Sequence, residues 1–162
     1  MAIELRKFED KDILYMCEIW NTVVREANAF PQTNELTPNE AKEFFAVQTY
    51  TAVAVDEDEV VGLYILHPNN IGRCGHLANA SYAVKIGCRG QKIGEKLVRD
   101  CIKMGHEIGF KVLQFNAVVS TNTVAIHLYE KIGFHRLGTV PNGFMLADGS
   151  YTDIILFYIE LD

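Results

Sequence analysis

At Val84 the hydrophobic period of the chain changes. His76 to Val84 reads as a strand with unusually small residues in its middle, Ala78, Asn79, Ala80 and Ser81. From Ile93 onward, Leu97, Cys101, Met104 and Ile108 recur at helical spacing, while Arg99, Lys103 and Glu107 fall elsewhere, and Gly109 ends the run. A strand feeding a helix through a short glycine-bearing loop must lay that helix back on the sheet. It also aims the helix N-terminus at whatever lies beyond the strand end. The first N–H groups of a helix have no partner inside it, and with the macrodipole they attract anions. In "CRGQKIGEKL", with the helix opening at Gly90 to Ile93, Gly90 and Gly94 allow close backbone approach, and Arg89 and Lys92 add positive charge. The stretch is neither G-x-x-x-x-G-K-[ST] nor G-x-G-x-x-G. From its residues alone, a phosphate cradle and an ordinary strand–helix turn both remain open.

The surrounding pattern is mixed. Ile3, Leu5 and Lys7 alternate as a strand. Asp10 is placed to cap a helix over residues 11–27, with Ile13, Met16, Cys17, Trp20, Val23 and Val24 on one face. "FPQTNELTPNE" reads as loop, and Thr37 with Pro38 opens a second helix through Ala41, Phe44 and Phe45. Two strands, residues 50–55 and 60–66, flank a polar "DEDE" hairpin. After the strand–loop–helix come a strand over 111–119, a helix capped by Thr121 or Asn122 and stopped at Gly133, and two long strands, 134–146 and 151–161. This order of seven strands and four helices predicts one α/β (α+β) domain over residues 1–162, with too few helices for a barrel.

Size and charge exclude several classes. A chain of 162 residues suits a single core. Its formal net charge of −6 disfavours nucleic acid as a partner. No apolar run is long enough for a membrane span, and MAIELRKFED lacks a signal-peptide core, so a cytoplasmic location is expected. Cys17, Cys74, Cys88 and Cys101 form no C-x-x-C pair and no zinc spacing, so no metal is expected. Arg89 beside Cys88 would lower a thiol pKa, yet no nucleophile signature surrounds it, and an incidental loop cysteine is the favoured reading.

Arg89-Gly90-Gln91-Lys92-Ile93-Gly94 resembles the Q/R-x-x-G-x-G/A signature of the GNAT superfamily of N-acetyltransferases, with Lys92 where a glycine is usual. Asn122 to Phe134, "NTVAIHLYEKIGF", is similar to that family's N-x-x-A-x-x-L-Y-x-x-x-G-F segment. Asn122, Ala125, Ile126 and Tyr129 share one helix face. Read alone, Asn122 is a plain N-cap and Tyr129 a core aromatic; the two motifs in order carry the resemblance. The stretch around Asp148-Gly149 and Asp153, with "IWN" at Ile19 to Asn21 and "NAFPQ", resembles the phosphinothricin and amino-acid acetyltransferase branch, although Asp148-Gly149 also reads as a plain hairpin turn.

The resemblance implies a mostly antiparallel sheet, splayed in the middle, that holds acetyl-CoA as acetyl donor. The pyrophosphate would meet the backbone of Arg89, Gly90, Gln91, Lys92, Ile93, Gly94 and Glu95. The pantetheine arm would run along Tyr82, Ala83 and Val84, with Asn122, Ala125 and Tyr129 opposite. Acetyl transfer to an amine needs a hydrogen-bond donor at the carbonyl oxygen and a proton for the departing thiolate. The resemblance implies the Tyr82 N–H for the first role and Tyr129 for the second, its phenol protonated at neutral pH with an ordinary pKa near ~10. Many relatives carry a glutamate near Ala78; here His76, Asn79 and Ser81 stand instead, and the base stays open: His76 has a suitable intrinsic pKa, a lone histidine at a strand end is more often structural, and a water chain to solvent is the other route. Phe30, Asn79, Ser81 and Asn116 are the candidate substrate contacts. A small primary amine is the expected acceptor, a protein N-terminus and a non-catalytic coenzyme-binding module being the alternatives. A homodimer is expected, because relatives often pair and long edge strands need cover.

Overall fold

The computed structural model describes residues 2–162. The strands are β1 (Glu4–Lys7), β2 (Tyr50–Asp56), β3 (Glu59–Pro68), β4 (Leu77–Val84), β5 (Val112–Val119), β6 (His135–Met145) and β7 (Tyr151–Glu160). The helices are α1 (Ile13–Glu26), α2 (Pro38–Ala46), α3 (Ile93–Ile108) and α4 (Thr123–Ile132). The seven strands form one sheet in the order β1-β2-β3-β4-β5-β7-β6. Every neighbouring pair is antiparallel except β4 and β5.

The predicted element order is the observed one, and local chemistry explains most boundaries. Thr37 and Glu40 make a reciprocal capping box at the start of α2, with Pro38 at the first helical position. Asn122 caps α4, its Oδ1 accepting the Ala125 N–H at 3.3 Å. The Asp148-Gly149 stretch is a turn, with Gly149 at φ +85° and the Ser150 N–H donating to Asp148. At α1 the expected cap is corrected. Asp10 opens a short 3-10 turn instead, and Asp12 precedes α1 without a side-chain cap bond to it: its carboxylate closes the capping box of the 3-10 turn, accepting the Glu9 N–H at 2.7 Å, and pairs with Arg6 at 2.8 Å. A buried Asp12 tied to β1 fixes where α1 leaves the sheet.

Two cores lie on opposite faces of the sheet. On one, α1 and α2 bury Trp20, Phe45, Val53 and Leu63. On the other, α3 packs Leu97 and Cys101 against Tyr64, Leu113 and Phe157, and α4 joins the edge of this core through Ile126, Leu128 and Tyr129. Side chains alternate across a strand. Ala78, Ala80, Tyr82 and Val84 of β4 therefore belong to the α3 face, while Ala83 belongs to the α1–α2 face with Asn79 and Ser81 in phase with it.

The sheet is open at its centre. β4 and β5 pair only at Leu77 with Val112 and Ala78 with Leu113. Beyond that point β5 follows β7, with a register break between Phe115 and Val118, and parts from β4.

Candidate active site

The hydrogen-bond parity of β4 decides which of its groups are free. In an antiparallel pair, residues alternate between facing the partner and facing away. The Lys85 N–H donates to Val61 O and the Asn69 N–H to Leu77 O, so on β4 the odd-numbered residues face β3. Tyr82 and Val84 therefore point their N–H and C=O groups toward the gap left by β5. Ala83, expected to share that free edge, is corrected: its backbone faces Leu63 of β3. The Ala80 N–H also faces the gap, and the Asn79 side chain accepts it at 2.8 Å.

The loop at the end of β4 is equally unpaired. From Arg89 through Glu95 no backbone N–H donates to any partner among the described residues; Cys88 closes a turn onto Lys85 O, and Lys96 is the first donor of α3, to Lys92 O. Helix α3 begins at Ile93, the late end of the expected range. Lys92 adopts φ +62°, a left-handed conformation that suits glycine, which accounts for the glycine usual at this place in the signature. Gly90 lies at φ +90°, and a Cβ at Gly94 would meet only Leu128 and Val84 at ordinary contact distances. The chain's own packing thus leaves the space over Gly94 open.

Side-chain charge around the loop is largely paired. Arg89 binds Glu26 at the end of α1 with both terminal nitrogens, at 3.0 and 2.7 Å. Glu95 is held by Lys131 at 2.8 Å and Arg99 at 2.9 Å, which keep its carboxyl down at about 2. These pairs tie the first turn of α3 to α4, and Arg89 to α1.

A cavity of about 600 Å³ passes through the splayed strands. Tyr82, Asn122, Ala125 and Tyr129 line it from the α4 side, and Phe30, Asn79, Ser81 and Asn116 from the other. The residues expected at the reacting centre and the acceptor site thus meet in one space. Phe30 also packs on Trp20 with ring centroids 4.3 Å apart, and its loop is clamped by buried Asn21, whose side chain bonds both backbone groups of Leu36 at 2.8 Å. Asn116 exchanges hydrogen bonds with Asn69.

His76, one of the residues weighed as a base, is outside this space. It is exposed at the start of β4, its carbonyl accepting the Lys111 N–H. The cavity instead contains Gln48 of the loop after α2, Gln32 of the loop before it and His67 of β3, which sequence reasoning did not select. The strand signal was expected to end at Leu66. Pairing of His67 with Asn79 and Pro68 with Ala78 carries β3 further, and only that register brings His67 beside the cavity.

Burial raises the Tyr129 pKa above its ordinary value, helped by Cys101, so the phenol is held more firmly protonated than the sequence suggested. Its hydroxyl makes no hydrogen bond among the described residues, and its ring packs on Phe115 at 4.6 Å. The Tyr82 phenol is buried without a partner and is likewise raised, first by burial. Burial pushes the Cys101 thiol up to about 12, which makes it a core group and not a nucleophile.

Comparison with known proteins agrees with this geometry. The profile of the acetyltransferase (GNAT) family matches residues 15–134. The N-acetyltransferase aca1 of Schizosaccharomyces pombe is 28% identical over 155 residues, covering 85% of this chain and 74% of that protein. A GCN5-related N-acetyltransferase from Kribbella flavida superimposes with a TM-score of 0.91 at 33% identity, over 99% of this chain and 98% of that one. A GNAT superfamily phosphinothricin acetyltransferase from Sinorhizobium meliloti, solved in complex with acetyl-CoA, has the same fold, with a TM-score of 0.92, 20% identity and coverage of 99% and 89%. The chain belongs to the acetyltransferase (GNAT) family, whose acetyl donor is acetyl-CoA. Its seven-stranded splayed sheet with four helices is that family's fold.

Proposed function

We propose that this chain moves the acetyl group of acetyl-CoA to the primary amine of a small molecule (an amino acid, an amino-acid analogue or a polyamine) by direct attack within a ternary complex. One observation carries the reading. Unpaired N–H groups lie on both sides of the end of β4, at Tyr82 and Val84 on the strand and from Arg89 to Glu95 in the loop, and Tyr82 lines the cavity through the sheet.

The residues fit the donor. A diphosphate needs several converging N–H groups and room to reach them, and the loop from Arg89 through Gly90, Gln91, Lys92, Ile93 and Gly94 to Glu95 offers both. Tyr82 and Val84 present an unsatisfied strand edge on which an amide-bearing arm can pair; Ala83 supports it from the opposite face. Asn122, Ala125 and Tyr129 form the second wall. When bound, acetyl-CoA supplies a thioester whose carbonyl carbon accepts the amine. Phe30, Asn79, Ser81 and Asn116 position that amine. The Tyr82 N–H donates to the carbonyl oxygen as negative charge grows there. The Tyr129 hydroxyl gives its proton to the sulfur as the C–S bond breaks. The new C–N bond leaves an N-acetylated product and free thiol.

The cavity volume supports a small acceptor, since sites for small molecules run from ~300 to ~1,000 Å³. A homodimer goes with the proposal. Edge strand β6 exposes Leu137, Val140 and Met145, with Tyr151 of β7 also exposed, and such a surface favours cover.

Thiol release from acetyl-CoA, measured with amino acids, polyamines, aminoglycosides and peptides, tests the reading. Turnover with a small amine and not with peptides is expected. Turnover with peptides alone would make it a peptide acetyltransferase. Tight acetyl-CoA binding without release across the panel would make it a binding module.

A further inference from the structure

Resting on the acetyl-transfer reading, we propose that His67 is the general base that takes the proton of the attacking amine. Three observations place it there.

The first is position. His67 lines the cavity on the same face of the sheet as Asn79 and Ser81, opposite Asn79 in the β3–β4 register. The amine enters between these groups, while the thioester reaches the gap from the Tyr129 side.

The second is chemical scarcity. Among the described residues, the lining of this cavity includes no carboxylate, lysine or arginine. The loop after α2 contributes Gln48, the loop before it Gln32, β4 Asn79 and Ser81, and β5 Asn116; none of these titrates. The other ionisable groups are the phenols of Tyr82 and Tyr129, both held protonated by burial. His67 is the one lining side chain whose ordinary pKa lies near neutrality.

The third is the tautomer. His67 Nδ1 lies 3.0 Å from the carbonyl oxygen of Pro68. A carbonyl only accepts, so Nδ1 carries the hydrogen and donates it. In the neutral ring Nε2 is then the nitrogen without a hydrogen, free to accept a proton.

The step balances. The amine nitrogen forms its bond to the carbonyl carbon and loses one proton to His67 Nε2. The C–S electron pair leaves with sulfur, which takes the Tyr129 proton. The imidazolium then returns its proton to solvent, and Tyr129 regains one from solvent. No oxidant or metal enters.

The test compares wild type with His67→Gln and His67→Ala, using one accepted amine from pH 5 to pH 9, an interval that brackets the unperturbed histidine pKa of ~6.5. Acetyl-CoA affinity, measured by calorimetry, should be unchanged in both variants, which also reports that they fold. Turnover should fall ~10²–10⁴-fold. The ratio of wild-type to His67→Gln rate cancels the ionisation of the amine itself. It should be smallest at pH 5 and rise with pH. Imidazole added in solution should restore part of the His67→Ala rate. A ratio that stays flat with pH overturns the assignment while leaving acetyl transfer intact. A wild-type protein that binds acetyl-CoA with no turnover, or does not bind it, overturns both.

Discussion

Arg89 grips Glu26 with both guanidinium nitrogens, 63 residues away in sequence, at 3.0 and 2.7 Å. The positive residue that opens the glycine-bearing loop is therefore spent largely on holding the loop to the end of α1. In the proposed complex the anion is therefore left to backbone N–H groups. Arg89→Ala should weaken acetyl-CoA binding only a few-fold, since a half-exposed pair of this kind is worth ~0.2–1 kcal/mol. Gly94→Val should reduce affinity far more, by filling the space over the loop, with a melting temperature close to that of wild type. Calorimetric titration of both variants checks this. Equal small losses would show that the loop does not hold the coenzyme.

Lys92 at φ +62° gives a second expectation. A side chain in the left-handed region costs about 1–2 kcal/mol, more when β-branched. Lys92→Gly should fold with stability equal to or above that of wild type and keep its acetyl-CoA affinity. Lys92→Val should be destabilised by about 1–2 kcal/mol or more. Chemical denaturation reads both, and a stable Lys92→Val would contradict the strain.

Tyr129→Phe keeps the ring that packs on Phe115, Phe134 and Phe157 and removes only the hydroxyl. Turnover should fall ~10²–10⁴-fold with coenzyme affinity nearly constant. Because burial raises the phenol's pKa, wild type should show no loss of rate from Tyr129 ionisation on the alkaline side up to its ordinary value of ~10. Full activity in Tyr129→Phe would reduce the residue to packing.

Asp12 contributes a pH-dependent part of the fold's stability. Burial pushes its carboxyl up, but Arg6, the Glu9 N–H and nearby positive charge outweigh this, and the net shift is downward. A depressed carboxylate stabilises the fold fully above the unfolded value of ~3.9, and that contribution is lost as pH falls through the lower folded value. Asp12→Asn should cost about 1.5–3 kcal/mol at neutral pH, and less as acid is added. Urea midpoints measured from pH 7 down to pH 3 would show the gap closing. A gap independent of pH would remove the ion pair from the account.

How legible this was depended on range. The element order followed from local periodicity and caps, Thr37 and Asn122 among them, but the single core expected from chain length is two, because the sheet buries one on each face. The loop and Tyr129 were found because contiguous motifs carry them. What sequence reasoning missed was set by pairing between strands. The choice of Tyr82 and Val84 over Ala83 is a matter of hydrogen-bond parity with β3, which no single strand encodes. His67 joins the cavity only because β3 runs on past Leu66 opposite Asn79. His76 looked eligible by residue type, and its place before β4 turns it away from the gap.

The proposed coenzyme site depends on which backbone N–H groups are unpaired in the free protein. Amide hydrogen exchange resolved by residue, with and without acetyl-CoA, measures this directly. Tyr82, Val84 and the loop from Arg89 to Glu95 should exchange fast in the free protein and slow on binding. Ala83, bonded to β3, should be protected in both states. Protection that appears elsewhere, or an alternation in which Ala83 gains and Tyr82 and Val84 do not, would contradict the proposed site.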